Sequence, residues 1–169
     1  DCLLSRGLGD VYKRQFGNNA YVAVGSKGSI IRSTDNATTW DNVTSPLCCV
    51  SGYDGWRSGS TFANNTFVAV GNAGNIMRST DNGSTWDNAT TDNSTSNSLF
   101  SVAFGNNVFV AVGEYGNIVR STDNGSNWDN ATSPMNASSN AWRYMDVTFG
   151  NNTFCLLYTS DAADEEDSV

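Results

Sequence analysis

Apolar residues in this chain fall in short unbroken runs and not at helical spacing. Val22-Ala23-Val24, Phe67-Val68-Ala69-Val70 and Phe109-Val110-Ala111-Val112 are each bounded by Asn and Gly, the residues that punctuate turns. Such runs predict strands covered on both faces, because one solvated face would impose strict alternation. Each run lies within a longer unit, FGNNxFVAVGxxGxIxRSTDNGSxWDN, whose punctuation predicts four strands. In the copy from Phe104, Phe104–Asn107 leads into a tight turn and Val108–Val112 is a strand. Glu114-Tyr115-Gly116 turns again, Asn117–Ser121 is the next strand, Asp123-Asn124-Gly125 is the third turn, and Trp128 opens the last strand.

The units open at Phe16, Phe62, Phe104 and Phe149, spacings of 46, 42 and 45 residues. That period is the length of one four-stranded propeller blade. The predicted fold is all-β: a partial β-propeller of about three four-stranded antiparallel blades plus the start of a fourth, spanning 16–154. Closed propellers usually have about four to eight blades, so further blades of a longer chain are expected neighbours.

The most regular part of each unit is an octapeptide: STDNATTW at Ser33–Trp40, STDNGSTW at Ser79–Trp86 and STDNGSNW at Ser121–Trp128. The carboxylates of Asp35, Asp81 and Asp123 are suited to accept backbone N–H groups of their own turns. Gly83 and Gly125 are expected to be the only left-handed residues there, with Ala37 bearing a cost in the first copy. Trp40, Trp86 and Trp128 are expected to pin the loops. A four-residue turn places Arg32, Arg78 and Arg120 opposite Asp41, Asp87 and Asp129, which predicts three cross-strand ion pairs.

These octapeptides resemble the Asp-box, or bacterial neuraminidase repeat, of pattern SxDxGxTW, and the resemblance covers Phe16 to about Phe154. Asp-box propellers include sialidases, xyloglucan-cleaving glycosidases, sortilin-type receptors, photosystem II assembly factors and many secreted bacterial proteins. The FGNNxFVAVG run looks most like the last group. In that family the Asp-boxes lie away from the active site, so the resemblance implies a structural role for Ser33, Asp35, Trp40, Ser79, Asp81, Gly83, Trp86, Ser121, Asp123, Gly125 and Trp128.

Both ends look unlike the middle. SRGLGDVYKRQ at Ser5–Gln15 and CLLYTSDAADEEDSV at Cys155–Val169 resemble translated sequencing-adapter DNA, and residues 1–15 and 155–169 are expected to lie outside the fold. The alternative for the tail is a disordered acidic segment. The formal charge of −8 falls to roughly −4 without these ends, leaving no electrostatic footprint for nucleic acid. No stretch has the length of a transmembrane span. Cys48 and Cys49, adjacent in a connection, suit neither a relaxed disulfide nor a metal site. The Asn, Ser, Thr and Gly content fits a secreted or cell-surface protein, and neither cofactor nor metal is expected.

Successive turns of a meander alternate ends, so the GNN and Asp turns share one face of the propeller. The GxxG turns and blade connections share the other. That second face carries the variation between units, and its candidate ligand residues are Tyr53, Asp54, Trp56, Arg57, Tyr115, Trp142, Arg143 and Tyr144. The plainer reading makes Trp56 and Trp142 core residues at strand starts.

The chain has no histidine, which removes Ser/His and Cys/His hydrolase arrangements. Arg32, Arg78 and Arg120 repeat at one position in every unit and so do not form one converging carboxylate site. The sequence points to a non-catalytic propeller scaffold that binds a glycan or a surface protein. The alternatives are a piece of a sialidase-like or xyloglucan-cleaving glycoside hydrolase, and a photosystem II assembly-factor-like propeller.

Overall fold

A computed structural model describes residues 13–25, 28–46, 59–91, 97–134 and 143–159. Three antiparallel meanders follow one another along the chain. The first is β1 (Lys13–Gly17), β2 (Ala20–Val24), β3 (Ile30–Ser33) and β4 (Asp41–Val43). The second is β5 (Gly59–Ala63), β6 (Thr66–Val70), β7 (Ile76–Ser79) and β8 (Asp87–Asn88). The third joins β10 (Leu99–Gly105), β11 (Val108–Gly113), β12 (Ile118–Ser121) and β13 (Asn127–Asn130), and β14 (Arg143–Gly150) with β15 (Thr153–Thr159) form a two-stranded start of a fourth. This is the expected partial propeller.

Two features differ from expectation. The short strand β9 (Thr90–Thr91), leaving the second blade, runs parallel to β13 and makes the third sheet five-stranded. The paired backbone also extends beyond 16–154. Lys13 is in register with Val24, and Cys155, Leu156 and Leu157 pair with Thr148, Val147 and Asp146, so the ladder runs from 13 to 159.

The first turn of every blade is Asn-Asn with both residues at positive φ, for example Asn64 at 46° and Asn65 at 57°. Consecutive left-handed residues give the hairpin a twist that matches its strands, and Asn tolerates that region better than most side chains. The flanking residues then pair aromatic to aromatic, with ring centroids 4.5 Å apart for Phe62–Phe67 and 4.6 Å for Phe104–Phe109.

The unbroken apolar runs are explained by the core. Val22, Val24 and Ile30 of the first blade pack with Phe67, Ala69, Met77 and Trp86 of the second. The alternate residues of the same β6 run, Val68 and Val70, turn the other way and pack with Phe109, Val119 and Trp128 of the third. Val110 and Val112 in turn meet Tyr144 and Val147 of the fourth. The second strands of the two inner blades are therefore apolar along Phe67–Val70 and Val108–Val112 because a blade lies on each side of them. The first strands of neighbouring blades are bridged directly, by Gln15 Nε2 donating to the Ser60 carbonyl at 2.8 Å and Ser101 Oγ donating to Asp146.

Candidate functional site

The Ser-Thr-Asp turns are built alike in all three copies. Ser79 Oγ donates to Asp81 Oδ1 at 2.9 Å and accepts the Gly83 N–H at 2.9 Å, so the buried hydroxyl relays between carboxylate and backbone. Asp81 also accepts the Thr85 N–H at 2.9 Å and the Thr85 hydroxyl at 2.6 Å. Ser121 and Asp123 repeat the arrangement with Asn127 in place of the threonine, and Ser33 and Asp35 do so with Thr39. Trp86 Nε1 donates to the Gly83 carbonyl at 3.2 Å and Trp128 Nε1 to that of Gly125 at 3.0 Å. Trp40 is only half-buried.

Hydrogen bonds to the charged form lower a carboxyl pKa. The Thr39 hydroxyl and N–H, with the Ser33 hydroxyl, hold Asp35 at about 2. The Asn127 backbone and side chain do the same for Asp123, also at about 2. For Asp81, burial is the largest single influence and pushes upward, but the bonds from Thr85 and Ser79 together outweigh it and the net direction is down. These carboxylates are fully engaged as ionised acceptors, which suits scaffold and not proton transfer.

Two expectations for these turns need correction. Gly83 and Gly125 are left-handed at φ +79° and +80°, but Asn82 at 65° and Asn124 at 62° are left-handed too. The register places Arg32 opposite Asp41, Arg78 opposite Asp87 and Arg120 opposite Asp129, as expected, yet the first two arginines act elsewhere. Arg32 Nε donates to the Asn82 carbonyl at 2.6 Å, and Arg78 donates to the Asn124 carbonyl at 3.3 Å and to Ser126 Oγ. A guanidinium that caps a tightly curved, carbonyl-bearing turn in the next blade gains more than one facing a solvated carboxylate across a strand pair. Asn82 and Asn124 complete the link by donating back to the Asn18 carbonyl at 3.0 Å and Thr66 Oγ1 at 2.6 Å in the preceding blade. These bonds put the GNN and Asp turns on one face. Sequence reasoning missed both partnerships because they join blades 46 to 64 residues apart.

On the opposite face, Tyr53, Asp54, Trp56, Arg57 and Trp142 lie outside the described residues. Tyr144 is corrected to a core position: it is buried, packs with Val110 and Val112, and its hydroxyl is 3.1 Å from Ser133 Oγ. Strand β14 begins at Arg143, so alternation turns Tyr144 inward and leaves Arg143 exposed. Tyr115 is exposed at the tip of the β11–β12 turn with φ 55°. A bulky side chain in this region is uncommon, and the corresponding turn of the second blade places Ala73 there, at φ 56°. Glu114, next to Tyr115, forms a backbone bridge with Arg143, and its Oε2 accepts the Ser98 N–H at 3.2 Å. The backbone of Glu114 thus joins Tyr115, its chain neighbour, to Arg143 where the third blade meets the fourth.

No family model matches the chain, and no curated protein matches it. Solved structures do. YCF48 bound to a D1 peptide aligns with a TM-score of 0.57 at 19% identity over 90% of this chain and 56% of its own. YCF48 from Cyanidioschyzon merolae aligns with a TM-score of 0.60 at 19% identity over 84% of this chain and 48% of its own. The computationally designed Ika4 protein aligns with a TM-score of 0.59 at 13% identity over 90% of this chain and 94% of its own. These likenesses establish the propeller fold, and the chain spans about half the length of the YCF48 structures.

Proposed function

We propose that this chain is part of an Asp-box propeller scaffold that binds an extended protein segment on its variable face, with Tyr115 and Arg143 as contact residues. The observation that carries the reading is Tyr115, an aromatic side chain exposed from a strained turn beside Arg143 on a frame that is otherwise tightly stapled. A peptide is favoured over a glycan because a structural neighbour is YCF48 bound to a D1 peptide. The photosystem II assembly-factor-like reading is the more specific form of the same proposal. Action outside the cell or at its surface remains part of the proposal on composition. A glycoside hydrolase is less well supported, since Arg32 and Arg78 are each committed to a neighbouring turn.

Fluorescence anisotropy with a labelled D1 peptide tests the reading. Tyr115→Asn, which keeps a residue tolerant of positive φ, and Arg143→Gln are each expected to weaken binding about tenfold, or about 1.4 kcal/mol, with an unchanged melting temperature. Absence of binding, or binding indifferent to both substitutions, refutes it.

A further inference from the structure

The last residues that all three blades share before their connections diverge are Asn-x-Thr, at Asn42-Val43-Thr44, Asn88-Ala89-Thr90 and Asn130-Ala131-Thr132. Each lies at the end of its blade's fourth strand, farthest from the bridged first strands. The middle residue is held by the sheet: Val43 pairs with Ile30, and the Ala89 and Ala131 N–H groups donate to the Ile76 and Ile118 carbonyls, each at 2.9 Å. Alternation then turns the asparagine and threonine outward together, and in all three copies both are exposed.

Most polar side chains repeated in every unit hold the fold, as the turn serines and aspartates, Arg32 and Arg78, and Asn82 and Asn124 do. Asn42, Asn88, Thr44, Thr90 and Thr132 make no side-chain hydrogen bond among the described residues. The turns of the second and third blades carry a related tripeptide, Asn82-Gly83-Ser84 and Asn124-Gly125-Ser126, in the opposite setting. There the asparagine is half-buried and its amide nitrogen is committed to the preceding blade, on the Asn18 carbonyl and on Thr66 Oγ1.

Asn-x-Ser/Thr is the acceptor sequence for N-linked glycans and is modified where it lies at the surface of an exported protein. We propose that Asn42, Asn88 and Asn130 are N-glycosylation sites and that their glycans line the outer edge of the propeller. In each, the amide nitrogen bonds to the anomeric carbon of the first sugar of a polyprenyl diphosphate-linked oligosaccharide. The bond from that carbon to the diphosphate oxygen breaks, the lipid diphosphate leaves, and the amide gives up one proton. A glycan there also counters the hazard of an open edge, since β4 and β8 end their sheets with N–H and C=O groups available to another chain. The inference goes beyond peptide binding and rests on the part of the proposed function that has the chain act outside the cell or at its surface.

The test expresses the full chain behind a signal peptide in cultured animal cells and recovers its protease-resistant fraction from cells and medium. Ser84→Thr and Ser126→Thr are introduced, so that turn and outer-strand sites differ in position and not in acceptor hydroxyl. Peptide-N-glycosidase in heavy-oxygen water marks each glycosylated asparagine, and peptide mass spectrometry reads the label. It is expected at Asn42, Asn88 and Asn130 and absent at Asn82 and Asn124. Thr44→Ala, Thr90→Ala and Thr132→Ala are each expected to remove the label from their own site alone, with an unchanged melting temperature. An unlabelled chain overturns the inference, as does label at Asn82 and Asn124 equal to that on the outer strands. Anisotropy with the D1 peptide on the same preparation reads the variable face separately, so failure of one proposal is told apart from failure of the other.

Discussion

Replacing Gly83 with alanine should cost much more than the same change at Gly125, although the two turns share the run Ser-Thr-Asp-Asn-Gly-Ser and the same glycine conformation. Both glycines sit near φ +80°, where an L-residue loses about 1–2 kcal/mol. They differ in what the new methyl meets. At Gly83 it would lie 2.6 Å from Val22 Cγ2, inside any tolerated contact, and the β-branched valine in strand β2 has little freedom to move. Overpacking of that kind adds about 1–3 kcal/mol, for a total near 2–5. At Gly125 the separation is 3.2 Å and a few tenths of an ångström suffice, leaving about 1–2 kcal/mol. Urea denaturation of the full chain, with the slope checked for constancy, measures both. Val22→Ala should recover the overpacking part in Gly83→Ala, so the double variant loses less than the sum of the singles. The reverse change at Ala37, exposed at φ 64°, should stabilise by about 0.5–1 kcal/mol, the relieved strain outweighing the freedom glycine adds to the unfolded chain. Equal losses at 83 and 125, or a destabilising Ala37→Gly, would refute the packing argument.

Arg78→Ala removes bonds to the Asn124 carbonyl and Ser126 hydroxyl and should cost about 1–3 kcal/mol, while Arg120→Ala, at an exposed side chain, should cost under about 0.5; thermal melts compare them. The turn aspartates have folded pKa values below their ordinary 3.8, so the unfolded chain takes up protons first as pH falls, and the stability they contribute is complete above about pH 5 and lost between about pH 4 and 2. Urea midpoints across that range should fall, and Asp123→Asn should flatten the fall; a profile unchanged by that substitution counts against the hydrogen-bond account.

The blade count, strand order and register were legible because they are local. A run such as Phe67–Val70 states its own two-sided burial, and the turn residues fix which positions oppose. Between blades the sequence was less informative. Arg78 has Asp87 opposite it in register and Asn124 across the blade interface, and a linear reading sees only the first. The Ser33, Ser79 and Ser121 hydroxyls were recognisable as part of the repeat, but their relay role needs both a carboxylate and a backbone N–H at hydrogen-bond distance. On the variable face, Arg143 and Tyr144 were read as one aromatic and basic cluster; the strand starting at Arg143 sends them to opposite sides. The exposure of Tyr115 followed from its place in a GxxG turn, whereas its backbone strain did not.

The arginine links run in one direction. Arg32 holds the turn of the second blade and Arg78 that of the third, always reaching from earlier to later in the chain. The turns of the second and third blades are therefore each joined to the blade before them by a guanidinium, and Asn82 and Asn124 return a bond the other way. The first turn, at Asn36 and Ala37, gets no such clasp from within the described residues and is exposed. A repeat array linked this way has a direction that its near-identical units do not display when viewed one at a time.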